Sequence, residues 1–228
     1  LLLCKTEPAS LESLARYQKF LKARNALLRR PQSLDVAEIE TWEQLLAREA
    51  VHLVTRRRQL LTELLPLVVD VHRQLAPSAP ELQLNYRCRG FLADEPAEMG
   101  LFLEKYRHHR PQELLRGQTL VGPHRDELSI ALGDNLLRQF GSQGQCRSVA
   151  LALRLAQAAL FERRLAKSTI LLLDDCLSEL DRGRQERLLE LACAFGQVLI
   201  STATDLAWPL GKGSGVQIRV GAGEAHYV

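Results

Sequence analysis

The sequence predicts an α/β fold built on parallel strands, with a long helical arm attached. Short apolar runs at 169–173 and 197–201 alternate with helical stretches at about 143–165 and 182–194, the pattern of parallel strands joined by crossover helices. Two longer segments, 10–30 and 35–76, repeat apolar residues at helical spacing. Finally, a Ser/Gly-rich turn, Gly141-Ser142-Gln143-Gly144-Gln145, opens one helix, and about thirty positions later an aliphatic run ends in Asp174 and Asp175.

From Ser10 to Arg30 the residues Leu11, Leu14, Tyr17, Phe20, Leu21, Leu27 and Leu28 share a helical face, and Pro31 closes the segment. Ile39, Trp42, Leu46, Leu53, Leu60, Leu64, Val68 and Val71 form a second stripe over 35–76, where Pro66 predicts a kink or break. Two long helices joined by a tight link are expected to lie antiparallel. Leu82 to Cys88 alternates with period two and reads as a half-buried strand. Pro96–Arg107 and Pro111–Arg116 read as two helices, each with proline at or near its start. Glu127–Leu132 and Leu136–Phe140, separated by Gly133-Asp134-Asn135, predict a hairpin. Two further short strands are expected at 216–220 and 225–228. The texture changes near Thr119, which divides the chain into a helical arm or second lobe at 1–117 and an α/β lobe at 118–228.

Composition bounds the function classes. With 46% hydrophobic and 25% charged residues the chain can bury a core. It has no run of eighteen apolar residues, so no membrane span is expected. Five scattered cysteines without a C-x-x-C pair read as reduced, metal-free residues of a cytoplasmic protein. The formal net charge of +3 is too small to argue for nucleic acid by itself. Its distribution is more informative: residues 1–117 hold 18 Lys/Arg against 15 Asp/Glu, and residues 118–228 hold 12 of each. The runs Arg56-Arg57-Arg58 and Arg107-His108-His109-Arg110 both lie in the first part.

The chemistry concentrates in three places. A helix opened by Ser142-Gln143-Gly144-Gln145 offers free backbone N–H groups to an anionic phosphate, although the same residues also suit a plain capping turn. The strand Leu171-Leu172-Leu173 reads as fully buried and parallel, and it ends in two carboxylates. There Asp174 can hold Mg²⁺ and Asp175 can polarise a water that attacks a terminal phosphate. The following Ser178-Glu179-Leu180-Asp181 keeps polar groups at the same sheet edge, with Asp181 also a candidate N-cap. At the end of the next strand, Thr202 and Thr204 are candidate phosphate-sensing hydroxyls, near the point where transporter ATPases carry a histidine, and they read equally as ordinary strand-end polar residues. Gly122-Pro123-His124-Arg125-Asp126 is a further polar cluster that also reads as a turn. A Gly-rich phosphate loop of the form G-x-x-x-x-G-K-[ST] is absent. Gly211-Lys212-Gly213-Ser214-Gly215 imitates it without the hydroxyl after the lysine or a helix behind it. The chain begins at Leu1 and its only methionine is Met99, so it is expected to be part of a longer protein.

These stretches, with Gly122 to Asp126 and Arg147-Ser148-Val149-Ala150-Leu151-Ala152-Leu153-Arg154-Leu155, resemble the RecF family of bacterial DNA replication and repair ATPases. The specific motifs lie between positions 122 and 205, whereas 1–117 fits by its helical pattern. The resemblance implies the carboxyl-terminal portion of an ABC-ATPase (P-loop NTPase) head, SMC-like, with a coiled-coil-like α-helical arm. It further implies a homodimer that closes around ATP and Mg²⁺, binds single-stranded/double-stranded DNA junctions or gaps, and acts with RecR and RecO to direct RecA onto gapped DNA. The family's signature motif falls on Ser142, Gln143, Gly144 and Gln145, which would grip ATP bound to the opposite subunit. Its Walker B acids fall on Asp174 and Asp175, and its D-loop on Ser178, Glu179, Leu180 and Asp181. Cys146 stands where a second glutamine is usual, and Cys176 where an aliphatic residue follows the acids. Without the phosphate loop this chain alone is expected neither to bind ATP tightly nor to hydrolyse it.

Two other readings compete. Another SMC-like or transporter ATPase head is disfavoured by Asp175 in place of Glu, by the S-Q-G-Q form and by the missing switch histidine. A helical adaptor module would bind DNA or a partner without nucleotide.

Overall fold

The computed structural model describes residues 7–89, 91, 95–178, 180–203, 215–221 and 224–227. They divide into two compact units, one of residues up to Leu67 with Pro80–Gly141, the other of Val68–Ala79 with the residues from Ser142 onward. By contact, residues 127–136 fall with the first unit.

In the first unit, helix α1 spans Pro8–Leu28. Helix α2 spans Val36–Leu75, its residues from Val68 onward belonging to the second unit, and runs without a break through Pro66. Helix α3 spans Met99–Arg116 and includes Pro111, in place of the two helices expected. Both prolines tolerate their positions for one reason. A proline in a helix leaves the carbonyl four residues back without its N–H partner, and here those residues, Thr62 and Arg107, lie on exposed faces where water can replace it.

Ion pairs fix how these helices run. Arg16 of α1 meets Glu49 of α2 at 2.8 Å, and Arg24 meets Glu43 at 2.8 Å. Rising numbers on one helix match falling numbers on the other, so α1 and α2 are antiparallel as expected. Tyr17, Leu46, Ala50, Leu53, Phe102 and Tyr106 close a common core among the three helices.

Strand β1, Leu82–Arg87, pairs antiparallel with β2, Glu127–Leu132, and buries Leu82 and Leu84 while Gln83 and Asn85 face out. Strand β3 is only Asn135–Leu136. The expected second hairpin arm stops there, and Leu137–Phe140 turns into a one-turn helix, α4. Gly133 takes φ +56° at the first position of the two-residue loop, a conformation that glycine reaches without steric cost.

The second unit carries helix α5, Gln143–Leu165, with the bounds expected. Strand β4, Ile170–Asp174, pairs in parallel with β5, Gln197–Ser201, and helix α6, Arg182–Ala192, lies between them in sequence. Leu75, Leu155, Leu171, Leu173, Leu177, Leu188 and Leu189 pack together as its core. Each fully buried leucine contributes about 1.5–3 kcal/mol. One expectation fails here. β4 is buried on one face only, with Ile170 61% and Leu172 68% exposed among the described residues. Strands β6, Ile218–Gly221, and β7, Glu224–Tyr227, form an antiparallel ribbon. Among the described residues no helix is long and apolar enough to cross a membrane.

Candidate functional site

The tip of α5 is built by a reciprocal cap. Ser142, in extended backbone, accepts from Gln145 N at 3.2 Å, while the Gln145 side-chain carbonyl accepts from Ser142 N at 2.9 Å. This capping box satisfies two of the donors that a helix start leaves over. It also leaves chemistry in hand. A serine hydroxyl that accepts one hydrogen bond still has its own proton to donate, and a glutamine that accepts through oxygen keeps its NH₂ donors. Helix geometry leaves the N–H groups of Gln143 and Gly144 without intrahelical acceptors. Ser142, Gln143 and Cys146 are exposed, with Gly144 and Gln145 half-buried. The turn can therefore present several donors to one anion, and capping and binding are compatible roles.

Strand β4 delivers the two acids. Its parallel register sets Asp174 opposite Ser201, the last residue of β5, and the Ser201 hydroxyl donates to Asp174 Oδ1. Asp175 turns the chain out of the strand with φ +45°, a left-handed conformation that Asp adopts more readily than bulkier residues. Its N–H donates to Ser201 O at 3.1 Å, with Ser201 Oγ at 3.3 Å, and its carbonyl accepts from Ser178 Oγ at 3.1 Å. Both carboxylates are exposed. Cys176 donates its thiol to Asp174 O at 3.3 Å. Burial pushes that thiol pKa up, and the Asp174 and Asp175 carboxylates push it further, which keeps Cys176 a protonated donor.

Asp181 caps α6, accepting from Arg184 N at 3.0 Å, and pairs through Oδ2 with Arg184 Nε at 3.3 Å. A Cβ placed on Gly144 would stand 3.1 Å from Arg184 Nη1. The side chain at the third position of α6 thus reaches the first turn of α5. Thr202 follows β5 and is half-buried. Thr204, Glu179 and the 211–214 part of the Gly211–Gly215 loop lie outside the described residues.

Sequence reasoning missed Ser201 and Arg184. Ser201 was findable, since two five-residue strands aligned by their apolar runs put it level with Asp174. Arg184 was not, because its approach to Gly144 depends on how α5 and α6 pack.

The His124 cluster belongs to the first unit and has its own geometry. Tyr17 Oη lies 2.6 Å from His124 Nδ1, and His124 Nε2 lies 3.1 Å from Thr119 O. Because Thr119 O can only accept, Nε2 carries the proton and Nδ1 accepts from the tyrosine. Gly122, at φ +126°, leaves room for that contact, for a Cβ there would come within 2.6 Å of Tyr17 Oη. This segment is a packed turn in which His124 is held from both sides, by Tyr17 and by Thr119.

No family model matches the chain. Curated relatives do. It is 40% identical over 215 residues to the DNA replication and repair protein RecF of Cyanothece sp. (strain PCC 7425 / ATCC 29141), covering 90% of this chain and 57% of that protein. It is 38% identical over 215 residues to the protein of that description from Chloroflexus aurantiacus (strain ATCC 29364 / DSM 637 / Y-400-fl), covering 90% and 55%. The chain belongs to the RecF family. It spans a little over half the length of these RecF relatives. Among solved structures, the recombination mediator protein RecF-ATP in the RecFOR pathway superposes with a TM-score of 0.76 at 24% identity, over all of this chain and 60% of that one. The RecF-ATPrS structure gives the same TM-score over 98% of this chain. The fold is therefore that of RecF, a portion of an ABC-ATPase head of the P-loop NTPase class.

Proposed function

We propose that this chain supplies the signature, Walker B and D-loop side of a RecF-type ATP clamp acting in DNA replication and recombinational repair. One observation carries the reading. A single compact unit holds both an exposed helix tip rich in anion donors, Ser142 to Gln145, and an exposed pair of carboxylates at a parallel strand end, Asp174 and Asp175. Parallel sheets gather ligands at their strands' carboxyl ends.

The residues fit a hard cation. Magnesium takes oxygen donors, typically one or two carboxylates together with phosphates and water. Asp174 offers such oxygens, and the hydroxyl of Ser201 holds its carboxylate in place. The ion, when bound, would neutralise phosphate charge. Asp175, fixed by three hydrogen bonds to its backbone, orients and deprotonates the attacking water. The Ser142 hydroxyl and the Gln143 and Gly144 N–H groups donate to the terminal phosphate of ATP held by a second subunit. Asp181 holds the segment that follows the acids, and Thr202, just past the end of β5, offers a hydroxyl to the phosphate. On this reading ATP closes a homodimer, and the closed dimer binds gapped or junction DNA with RecR and RecO and so places RecA. The relatives' description as DNA replication and repair proteins supports a role in DNA repair.

The test is ATP turnover by the protein that carries this chain. Asp175→Asn is expected to lower the rate by at least about 100-fold, the usual contribution of a positioned base, and Ser142→Arg to abolish ATP-dependent dimerisation. Turnover unchanged in Asp175→Asn would overturn the assignment of the water-activating role.

A further inference from the structure

In the second unit the guanidinium of Arg184, from the first turn of α6, reaches the first turn of α5. Neither α5 nor α6 has an acidic residue in its first turn. Each helix start carries roughly half a positive charge. Arg184 sits at the third position of α6, and its Nη1 lies where a side chain on Gly144, at the second position of α5, would crowd it at 3.1 Å. Its carboxylate partner among the described residues is Asp181, at 3.3 Å. His72 completes the surroundings. It is buried at 3% exposure, and its Nε2 has no hydrogen-bond partner among the described residues. Burial and then the charge of Arg184 hold its imidazole below its ordinary pKa, so it stays neutral and adds no competing cation.

A cation held against the positive end of a helix is unfavourable unless an anion joins them. We propose that Arg184 is a phosphate-binding residue of the nucleotide clamp, held at the tip of α5 by Asp181 and admitted there by the missing side chain at Gly144. Its guanidinium adds a charged fork to the neutral donors of Ser142, Gln143 and Gly144, so that the tip discriminates a triphosphate by charge as well as by hydrogen bonding. Gly144 on this account is required for close approach, since its own backbone is ordinary helix. The inference rests on the clamp reading, and the experiment separates the two.

In the protein that carries this chain, dimerisation is measured against concentration of ATP with magnesium for the wild type, Arg184→Gln, Arg184→Lys, Gly144→Ala and Ser142→Arg. Arg184→Gln is expected to raise the ATP concentration at half-dimerisation at least tenfold. Arg184→Lys should recover part of that, and Gly144→Ala should resemble Arg184→Gln because a Cβ displaces the guanidinium. The partly exposed pair with Asp181 contributes little to folding, so Arg184→Gln should melt with the wild type. A second readout is insensitive to fold repair: added inorganic tripolyphosphate should move the His72 ring resonance in the wild type and leave it still in Arg184→Gln. If Ser142→Arg dimerises with ATP as the wild type does, the clamp reading itself falls. If Ser142→Arg fails while Arg184→Gln stays within twofold of wild type and His72 responds to tripolyphosphate in both, the role of Arg184 alone is overturned.

Discussion

The helical unit and the α/β unit use charge in opposite ways. In the first, Arg24 is fully buried and donates to Glu43 at 2.8 Å, Glu113 at 2.7 Å and Thr119 at 2.8 Å, with its guanidinium 4.8 Å from the Tyr106 ring centroid. Arg110 binds the other oxygen of Glu43 at 2.7 Å. Burial pulls the Arg24 pKa down, but the carboxylates of Glu113 and Glu43 outweigh it and the net shift is upward. The charges of Arg24, Glu43 and Glu113 are thus met within the fold. In the second unit, Asp174, Asp175 and Ser142 are exposed and each retains capacity for a further ligand. Buried charge that satisfies itself fixes structure, whereas exposed charge held by its backbone is free to do chemistry.

The sharpest way to break this contrast is to remove one partner on each side. Arg24→Ala leaves the buried Glu113 without its cation and Glu43 with Arg110 alone, and is expected to cost about 3–5 kcal/mol, read as a lowered urea midpoint. Asp174→Asn, by contrast, should change stability by less than about 0.5 kcal/mol, as surface substitutions do. Equal losses from the two would show that exposure does not separate the roles.

A comparison within one strand comes next. Leu173 is buried and Leu172 exposed, although they are neighbours of identical type. Leu173→Ala should cost about 2–5 kcal/mol, and Leu172→Ala only a few tenths, measured in the same denaturation series. The sequence could not distinguish them, because an apolar run without alternation reads as buried on both faces. Legibility elsewhere followed the range of the interactions involved. Helix α5 was readable to the residue because Ser142 and Gln145 signal its start locally, and β4 to within one residue at each end because an aliphatic run is also a local signal. The Arg24 network was invisible, since Arg24, Glu43 and Glu113 are brought together only by packing of three helices. Pro66 and Pro111 misled for the same reason: whether a proline breaks a helix depends on whether the orphaned carbonyl can reach water. Leu136–Phe140 misled because its apolar residues fit either a strand or a helical turn.

A smaller effect divides capping from binding at Ser142. Ser142→Ala removes the cap and should cost about 1 kcal/mol. Ser142→Asp keeps a capping oxygen but sets a negative charge against the phosphate. It should therefore melt with the wild type while losing ATP-dependent dimerisation. If Ser142→Asp dimerises normally, the serine is a cap and nothing more.

The smallest expected effect is on the pH dependence of folding, and it turns on His72. Burial, and then the charge of Arg184, lower its folded pKa below the unfolded value near 6.5. Between those two values the unfolded chain binds the proton and the folded one does not, so stability rises with pH in that window. The contribution is fully present above the unfolded pKa and is lost as pH falls toward the folded pKa. His124, lowered first by burial, acts in the same direction from the other unit, so the wild-type slope alone cannot be assigned. The difference between wild type and His72→Gln can. Urea midpoints at pH 7.5 and 5.5 should fall further in the wild type than in His72→Gln, and the gap should narrow in Arg184→Gln, where the neighbouring charge is gone. Parallel slopes in wild type and His72→Gln would mean that His72 titrates alike in the folded and unfolded chain, and the charge of Arg184 would lose its internal reporter.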